Sequence, residues 1–178
     1  MAEIGEASQS RDDGLSAPVP LTGEHDISRF DCGEPALNDW LRQRALKNES
    51  RFSRTYVVCE GNRVVAFFSI SAGAVERGAA PGKIRRNAPD TIPVSVIGRL
   101  AVDRIHAEKG IGADILSDAL RRTAVASQSI GIGAVLVHAK DDAARRFYLR
   151  CAEFIEYPDD SRTLFLPIET VVAAFSES

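Results

Sequence analysis

A chain of 178 residues is long enough to bury one full hydrophobic core, and 44% hydrophobic with 26% charged residues is an ordinary globular balance. A net charge of −3 excludes coating of nucleic acid by bulk charge, although a local basic face is compatible with it. Cys32, Cys59 and Cys151 are odd in number and far apart, and His25, His106 and His138 are equally scattered, which argues against a disulfide framework and a metal site. The cysteine usage makes a reducing cytoplasm the expected compartment; no apolar run approaches the ~20 residues of a membrane span, and the N-terminus lacks the basic-then-apolar order of a signal peptide.

Residues 1–17, rich in Ser, Gly, Asp and Glu, predict a disordered tail, and 18–178 a single domain. Val19–Leu21 reads as a short strand. Phe30-Asp-Cys-Gly-Glu-Pro35 places an acid and a proline in a first helical turn, and the helix is predicted to run to about Asn48. Leu37, Trp40, Leu41 and Ala45 share its apolar side. Thr55–Cys59 and Val64–Ala72 are β-rich runs joined by a Glu60-Gly-Asn-Arg63 hairpin turn. Residues 76–93 lack periodicity and read as a loop with room for a short helix. A strand over 94–102 precedes a helix over about 111–128, whose stripe is Ile115, Leu116, Ala119, Leu120 and Ala124. Ala134–His138 is a further strand. Asp141 or Asp142 caps a helix in which Ala143, Ala144, Phe147 and Tyr148 share a face. Ile155–Tyr157 and Thr163–Leu166 close the pattern as an antiparallel pair, giving a mixed α/β sheet with flanking helices.

The glycine-punctuated turn Lys109-Gly-Ile-Gly-Ala113 lies between a strand and an amphipathic helix. Unpaired N–H groups and the positive dipole end at such a helix start favour an anion, and a phosphorylated cofactor suits them. A P-loop would need Lys and Ser or Thr after more widely spaced glycines, and a dinucleotide fingerprint would need a third glycine where Ile115 stands. An ordinary strand-to-helix turn is the plain alternative. Gly131-Ile-Gly-Ala134 repeats the four letters after a helix, where it reads as a helix stop.

This element order, with the glycine turn after the fourth strand and Phe147-Tyr148 on the last helix, resembles the GNAT superfamily of acetyl-CoA-dependent N-acetyltransferases over about residues 18–170. Phe30-Asp-Cys-Gly-Glu-Pro-Ala-Leu-Asn-Asp-Trp-Leu41, Ser53-Arg-Thr-Tyr-Val-Val58, Gly98-Arg-Leu-Ala-Val-Asp103, Arg145-Arg-Phe-Tyr148 and Arg162-Thr-Leu-Phe-Leu-Pro167 look like the GNAT toxins of bacterial toxin–antitoxin modules. The resemblance implies a GNAT fold with splayed central strands. It implies acetyl-CoA as co-substrate, with its pantetheine arm along Leu100, Ala101 and Val102 and its pyrophosphate on Lys109, Gly110, Ile111, Gly112 and Ala113. Phe147 lines that cofactor site, and Tyr148 is the catalytic hydrogen-bond donor or general acid at the thioester sulfur. The acceptor it implies is the α-amino group of an aminoacyl-tRNA, and the partners are a ribbon-helix-helix antitoxin and a second copy in a homodimer.

A polyanionic acceptor calls for a basic face. Arg42, Arg44, Lys47, Arg51 and Arg54 cluster with one acid, Glu49, and Arg44, Lys47 and Arg51 share a side if the helix extends that far. Arg85 and Arg86 belong to a second cluster with Arg77 and Lys83. A solvated helix face is the bland alternative. Two features depart from the family pattern. Ala107 and Glu108 replace the usual start of the glycine turn, and Cys151-Ala152-Glu153 lacks the customary glycine and adds a residue before Phe154. The competing functions are a GNAT acting on a small amine or protein N-terminus, and a drifted acyl-CoA-binding or interaction protein.

Overall fold

The computed structural model describes residues 14–157 and 159–176. The strands are β1 (Val19–Pro20), β2 (Arg54–Glu60), β3 (Arg63–Glu76), β4 (Thr91–Val102), β5 (Ala134–His138), β6 (Ile155–Tyr157) and β7 (Asp160–Pro167). The helices are α1 (Pro35–Gln43), α2 (Ala45–Asn48), α3 (Gly82–Arg85), α4 (Ile111–Ala126), α5 (Asp142–Cys151) and α6 (Ile168–Ser176). The strands form one sheet in the order β1-β2-β3-β4-β5-β7-β6. β4 and β5 pair in parallel, whereas β1–β2, β2–β3, β5–β7 and β6–β7 are antiparallel. This is the mixed sheet expected from the sequence.

The described residues gather into two compact units, with those of 72–98 and 120–176 in one and those of 14–71 with 99–119 in the other. The second unit is built on Leu21, Phe30, Trp40, Leu41, Val57, Val64, Phe67 and Ala101. Trp40 stacks on Phe67 with centroids 5.9 Å apart, and Phe30 meets Phe67 edge-on at 5.3 Å. The core of the other unit contains Ile84, Ile92, Val94, Ala134, Leu136 and Phe165.

Several local expectations are corrected. Residues 1–13 of the expected tail lie outside the described residues, but the tail does not reach 17: Leu15 is 2% exposed and bridges to Glu60, and Ser16 exchanges hydrogen bonds with Cys59. The helix expected to run unbroken to Asn48 is interrupted at Arg44, whose φ of −121° leaves the helical region. Residues 76–93 hold a 3-10 turn at Arg77–Ala79, helix α3 and the start of β4. Gly131 and Gly133 are not a helix stop, because α4 ends at Ala126 and neither glycine has a positive φ. Gly133 serves close packing instead: a Cβ there would meet Ile92 Cγ2 at 2.9 Å. The pattern does not close with the last strand pair: Pro167 ends β7 and helix α6 follows it directly.

Candidate acyl-CoA site

Three separated stretches of the sequence meet in one unit. Asp31 donates its N–H to Asp103 Oδ2 at 3.1 Å and accepts from Gly33 N and Asn38 Nδ2 at 2.9 and 3.0 Å. Those two donors hold the Asp31 carboxyl below its ordinary value. Asn38 also accepts the Cys32 N–H at 3.0 Å, so a folded loop rather than the Glu34 side chain closes the start of α1. Arg104 returns to Asp31, pairing with Oδ2 at 2.7 Å and donating its backbone N–H to the Asp31 carbonyl at 2.9 Å. Arg99 lies 4.2 Å above the Trp40 ring. The Phe30–Leu41 and Gly98–Asp103 motifs are therefore two halves of one contact network.

Asp103 is the centre of that network. It is 1% exposed, receives the Ile105 N–H on Oδ1 at 3.0 Å, and faces Arg63 Nη2 at 3.5 Å and His106 Nδ1 at 3.8 Å. A 3-10 turn over Arg104–His106 follows, and His106 Nε2 lies 3.4 Å from Glu60 Oε2. The chain then extends at Ala107, turns left-handed at Glu108 (φ 63°) and again at Gly110 (φ 79°), and enters α4. Asp114 N–H, bonded to Gly110 O at 3.1 Å, is the first amide of α4 to point back into the helix. The amides of Ile111, Gly112 and Ala113 precede it, in the position that favours an anion. A Cβ on Gly110 would meet nothing within 4 Å, so its surroundings are open. The turn leaves room for an anion beside those amides.

The parallel ladder between β4 and β5 covers Val94–Ile97 and ends there, while β4 itself continues to Val102. Leu100, Ala101 and Val102 thus lie beyond the reach of β5 pairing, as a strand must to accept an extended ligand arm. Ala101 is buried and its two neighbours half-buried.

In the other unit, Asp141 caps α5 by accepting the Ala144 N–H at 2.8 Å. Tyr148 on that helix is 7% exposed and packs edge-on between Phe147 and Phe154, at 5.3 and 5.7 Å. Burial, with a smaller contribution from Cys151, pushes its phenol up to about 12. The missing glycine after α5 is accommodated because Ala152 leaves the helix extended, at φ −155°, a conformation open to any residue. A register shift between Glu156 and Tyr157 interrupts the β6–β7 pairing.

The basic residues have mixed roles. Arg42 is partly committed, donating to the Phe30 carbonyl at 2.8 Å. Arg44, Lys47, Arg51 and Arg54 are exposed, and so are Arg85 and Arg86 in the other unit. Arg44, Lys47 and Arg51 do not share a helical side, because α2 ends at Asn48. A cavity of about 480 Å³ lined by Ser127, Gly131, Ile132, Ile168, Glu169, Val172 and Ala173 contains none of the expected site residues. Asp31, Asn38, Arg63 and Arg99 escaped the sequence reading as site-supporting residues. The only signal was polar residues recurring inside apolar motifs.

A strand that outruns its parallel neighbour and leads through a glycine-punctuated turn into a helix is the arrangement an acyl-CoA-dependent acyltransferase would need. Residues 21–154 match the model of the acetyltransferase (GNAT) family, and the chain belongs to that family. It is an acetyltransferase that uses acetyl-CoA. It is 44% identical over 154 residues to a tRNA-acetylating toxin of Mycobacterium tuberculosis (strain ATCC 25618 / H37Rv), covering 86% of this chain and 92% of that protein. A crystal structure of a tyrosine-to-phenylalanine mutant of KacT superposes with a TM-score of 0.85 at 28% identity, covering 91% of this chain and 99% of that one. AtaT complexed with acetyl-methionyl-tRNAfMet matches at a TM-score of 0.82 and 29% identity, over 90% and 99% of the two chains. A mutant AtaT bound to acetyl-CoA and to the C-terminus of the antitoxin AtaR matches at 0.79 and 28%, over 92% and 99%. Among the described residues, no helix is long and apolar enough to cross a membrane, and no cluster of His, Cys, Asp and Glu could hold a metal ion.

Proposed function

We propose that this protein transfers the acetyl group of acetyl-CoA to the α-amino group of an aminoacyl-tRNA and so blocks translation. The donor half of the reading is supported by the end of the β4–β5 ladder at Ile97 ahead of the Asp103-anchored turn. The acceptor half is carried by the 44% identity to a tRNA-acetylating toxin across nearly all of that toxin's length. Leu100, Ala101 and Val102 receive the pantetheine arm. Lys109, Gly110, Ile111, Gly112 and Ala113 receive the pyrophosphate, and Phe147 borders the cofactor. Ala107 and Glu108 weaken that grip without abolishing it, since backbone amides supply most of the contacts.

A peptide α-amine titrates near 7.7–8.0, so a useful fraction is neutral at pH 7 and no strong base is needed. The amine attacks the thioester carbonyl, the C–S bond breaks, and the proton lost by nitrogen balances the one gained by the thiolate. Tyr148 donates a hydrogen bond to the departing sulfur. With its phenol at about 12, well above an ordinary thiol near 8.5, Tyr148 keeps its own proton and stabilises the thiolate by donation.

Arg42, Arg44, Lys47, Arg51, Arg54, Arg85 and Arg86 are the candidate tRNA contacts. The partners in this reading are a ribbon-helix-helix antitoxin and a second copy of the chain, within the cytoplasm, and the two units act as one domain. Acetyl transfer from labelled acetyl-CoA to purified charged tRNA tests the proposal. Labelling of free amines or peptides with none on charged tRNA overturns it.

A further inference from the structure

The segment between α2 and β2 presents an aromatic ring that the fold does not use. Phe52 is 63% exposed, the second most exposed large hydrophobic side chain among the described residues after Ile105 at 71%. It is not a loose loop residue. The carbonyl of Asn48 accepts the N–H groups of Arg51, Phe52 and Ser53 at 3.1, 2.8 and 3.2 Å, closing a tight turn that holds the backbone at the root of the exposed ring. The Arg51 guanidinium sits 5.0 Å from the ring centroid, and Leu46, 43% exposed, precedes the turn.

The charge along residues 44–54 is one-sided. Arg44, Lys47, Arg51 and Arg54 are exposed, and Glu49 is the acid among them. Its carboxylate is turned toward the backbone, where Oε2 accepts the Thr55 N–H at 2.8 Å. The turn therefore presents cations and an aromatic face, with its carboxylate occupied. Rigid aromatic rings set among cations are how proteins hold unpaired nucleic-acid strands, since every base has a face that stacks and every linkage a phosphate. An apolar protein partner is the less suited occupant, because the apolar area is small and the cations crowd it.

From this juxtaposition we infer that Phe52 is a stacking platform for an unpaired base of an RNA single strand, with Arg44, Lys47, Arg51 and Arg54 on the flanking phosphates. The inference rests on the proposed function, and it specifies that the single-stranded end of the acceptor RNA is read as well as its charge. Base stacking lost by truncation corresponds to roughly 5- to 150-fold in affinity.

The test uses the full chain and two uncharged RNA hairpins, one blunt and one with a short 3′ single-stranded extension carrying a fluorescent adenine analogue. Phe52→Ala is expected to weaken binding of the extended hairpin by that factor, to abolish quenching of the analogue, and to leave blunt-hairpin and acetyl-CoA binding unchanged. Phe52→Trp is expected to keep the wild-type behaviour, whereas Phe52→Leu, which preserves apolar bulk, is expected to lose it. Equal weakening for both hairpins, no weakening for either, or full activity of the leucine variant overturns the inference. So does a self-association, followed by sedimentation, that the alanine variant abolishes while its RNA binding stays intact. The two readings fail separately: charged tRNA acetylated equally by wild type and Phe52→Ala overturns the platform alone. Extension-specific binding without any acetylation of charged tRNA overturns the proposed function alone.

Discussion

Replacing Asp103 with alanine removes the cap of the 3-10 turn over Arg104–His106 that leads into the glycine turn. The carboxylate is buried and accepts two backbone N–H groups, from Asp31 and Ile105, while compensating the Arg63 guanidinium at 3.5 Å. Breaking a buried pair by deleting one partner costs about 3–5 kcal/mol, and hydrogen bonds to a charged group contribute about 1.5–3 kcal/mol each. These terms share one carboxylate and do not add. The Arg63 side chain is 19% exposed, and the contact is long, which places the loss near the lower end, at about 3 kcal/mol. For a chain of this size that corresponds to about 6–12 °C in Tm. Asp103→Asn keeps one acceptor oxygen but loses the charge facing Arg63, so about 2 kcal/mol is expected. Thermal and urea unfolding measure both losses, and calorimetry with acetyl-CoA measures the consequence for the turn. Affinity should fall in both variants at temperatures where they remain folded. A loss below about 1 kcal/mol for Asp103→Ala, or full acetyl-CoA affinity in a destabilised variant, would show that Asp103 does not hold the turn.

Gly110→Ala forces a side chain into a left-handed conformation and should lower stability by about 1–2 kcal/mol, with no steric penalty because the space is open; differential scanning calorimetry checks it. Glu108→Gln removes a negative charge beside the expected pyrophosphate, so acetyl-CoA should bind a few-fold tighter at low salt, the gain fading as salt is added. Tyr148→Phe preserves the ring contacts with Phe147 and Phe154 and should cut turnover strongly with little change in Tm or acetyl-CoA affinity. The raised Tyr148 phenol also predicts a pH effect. Its folded value of about 12 lies above the unfolded value near 10, so the stability it protects is intact below pH 10 and is lost as pH rises from 10 to 12. That loss is about 2–3 kcal/mol, and alkaline unfolding of wild type against Tyr148→Phe should show it only in wild type.

Local patterns determined much of this protein in advance. Periodicities of two and of three to four residues placed β2, β3, β5, α1, α4 and α5, because each element buries one face whose repeat is written in the chain. Gly110 was legible as part of a glycine-punctuated helix start, since a missing side chain there leaves backbone N–H groups open to an anion. Other features depended on partners far away in sequence. Nothing near Arg44 foretells the break between α1 and α2, and nothing near Gly133 foretells the approach of Ile92. Asp31, Arg63 and Asp103 look like three surface charges until β3, β4 and the loop before α1 bring them together. The tight turn that carries Phe52 was likewise decided by three amides converging on one carbonyl. The sequence by itself determined which segments are strands and helices and where an anion could rest, because those depend on neighbours along the chain. Only the tertiary structure decided that the β4–β5 ladder stops at Ile97 and that Asp103 ties the loop before α1 to the 3-10 turn over Arg104–His106, because pairing and burial are set between segments that the sequence keeps apart.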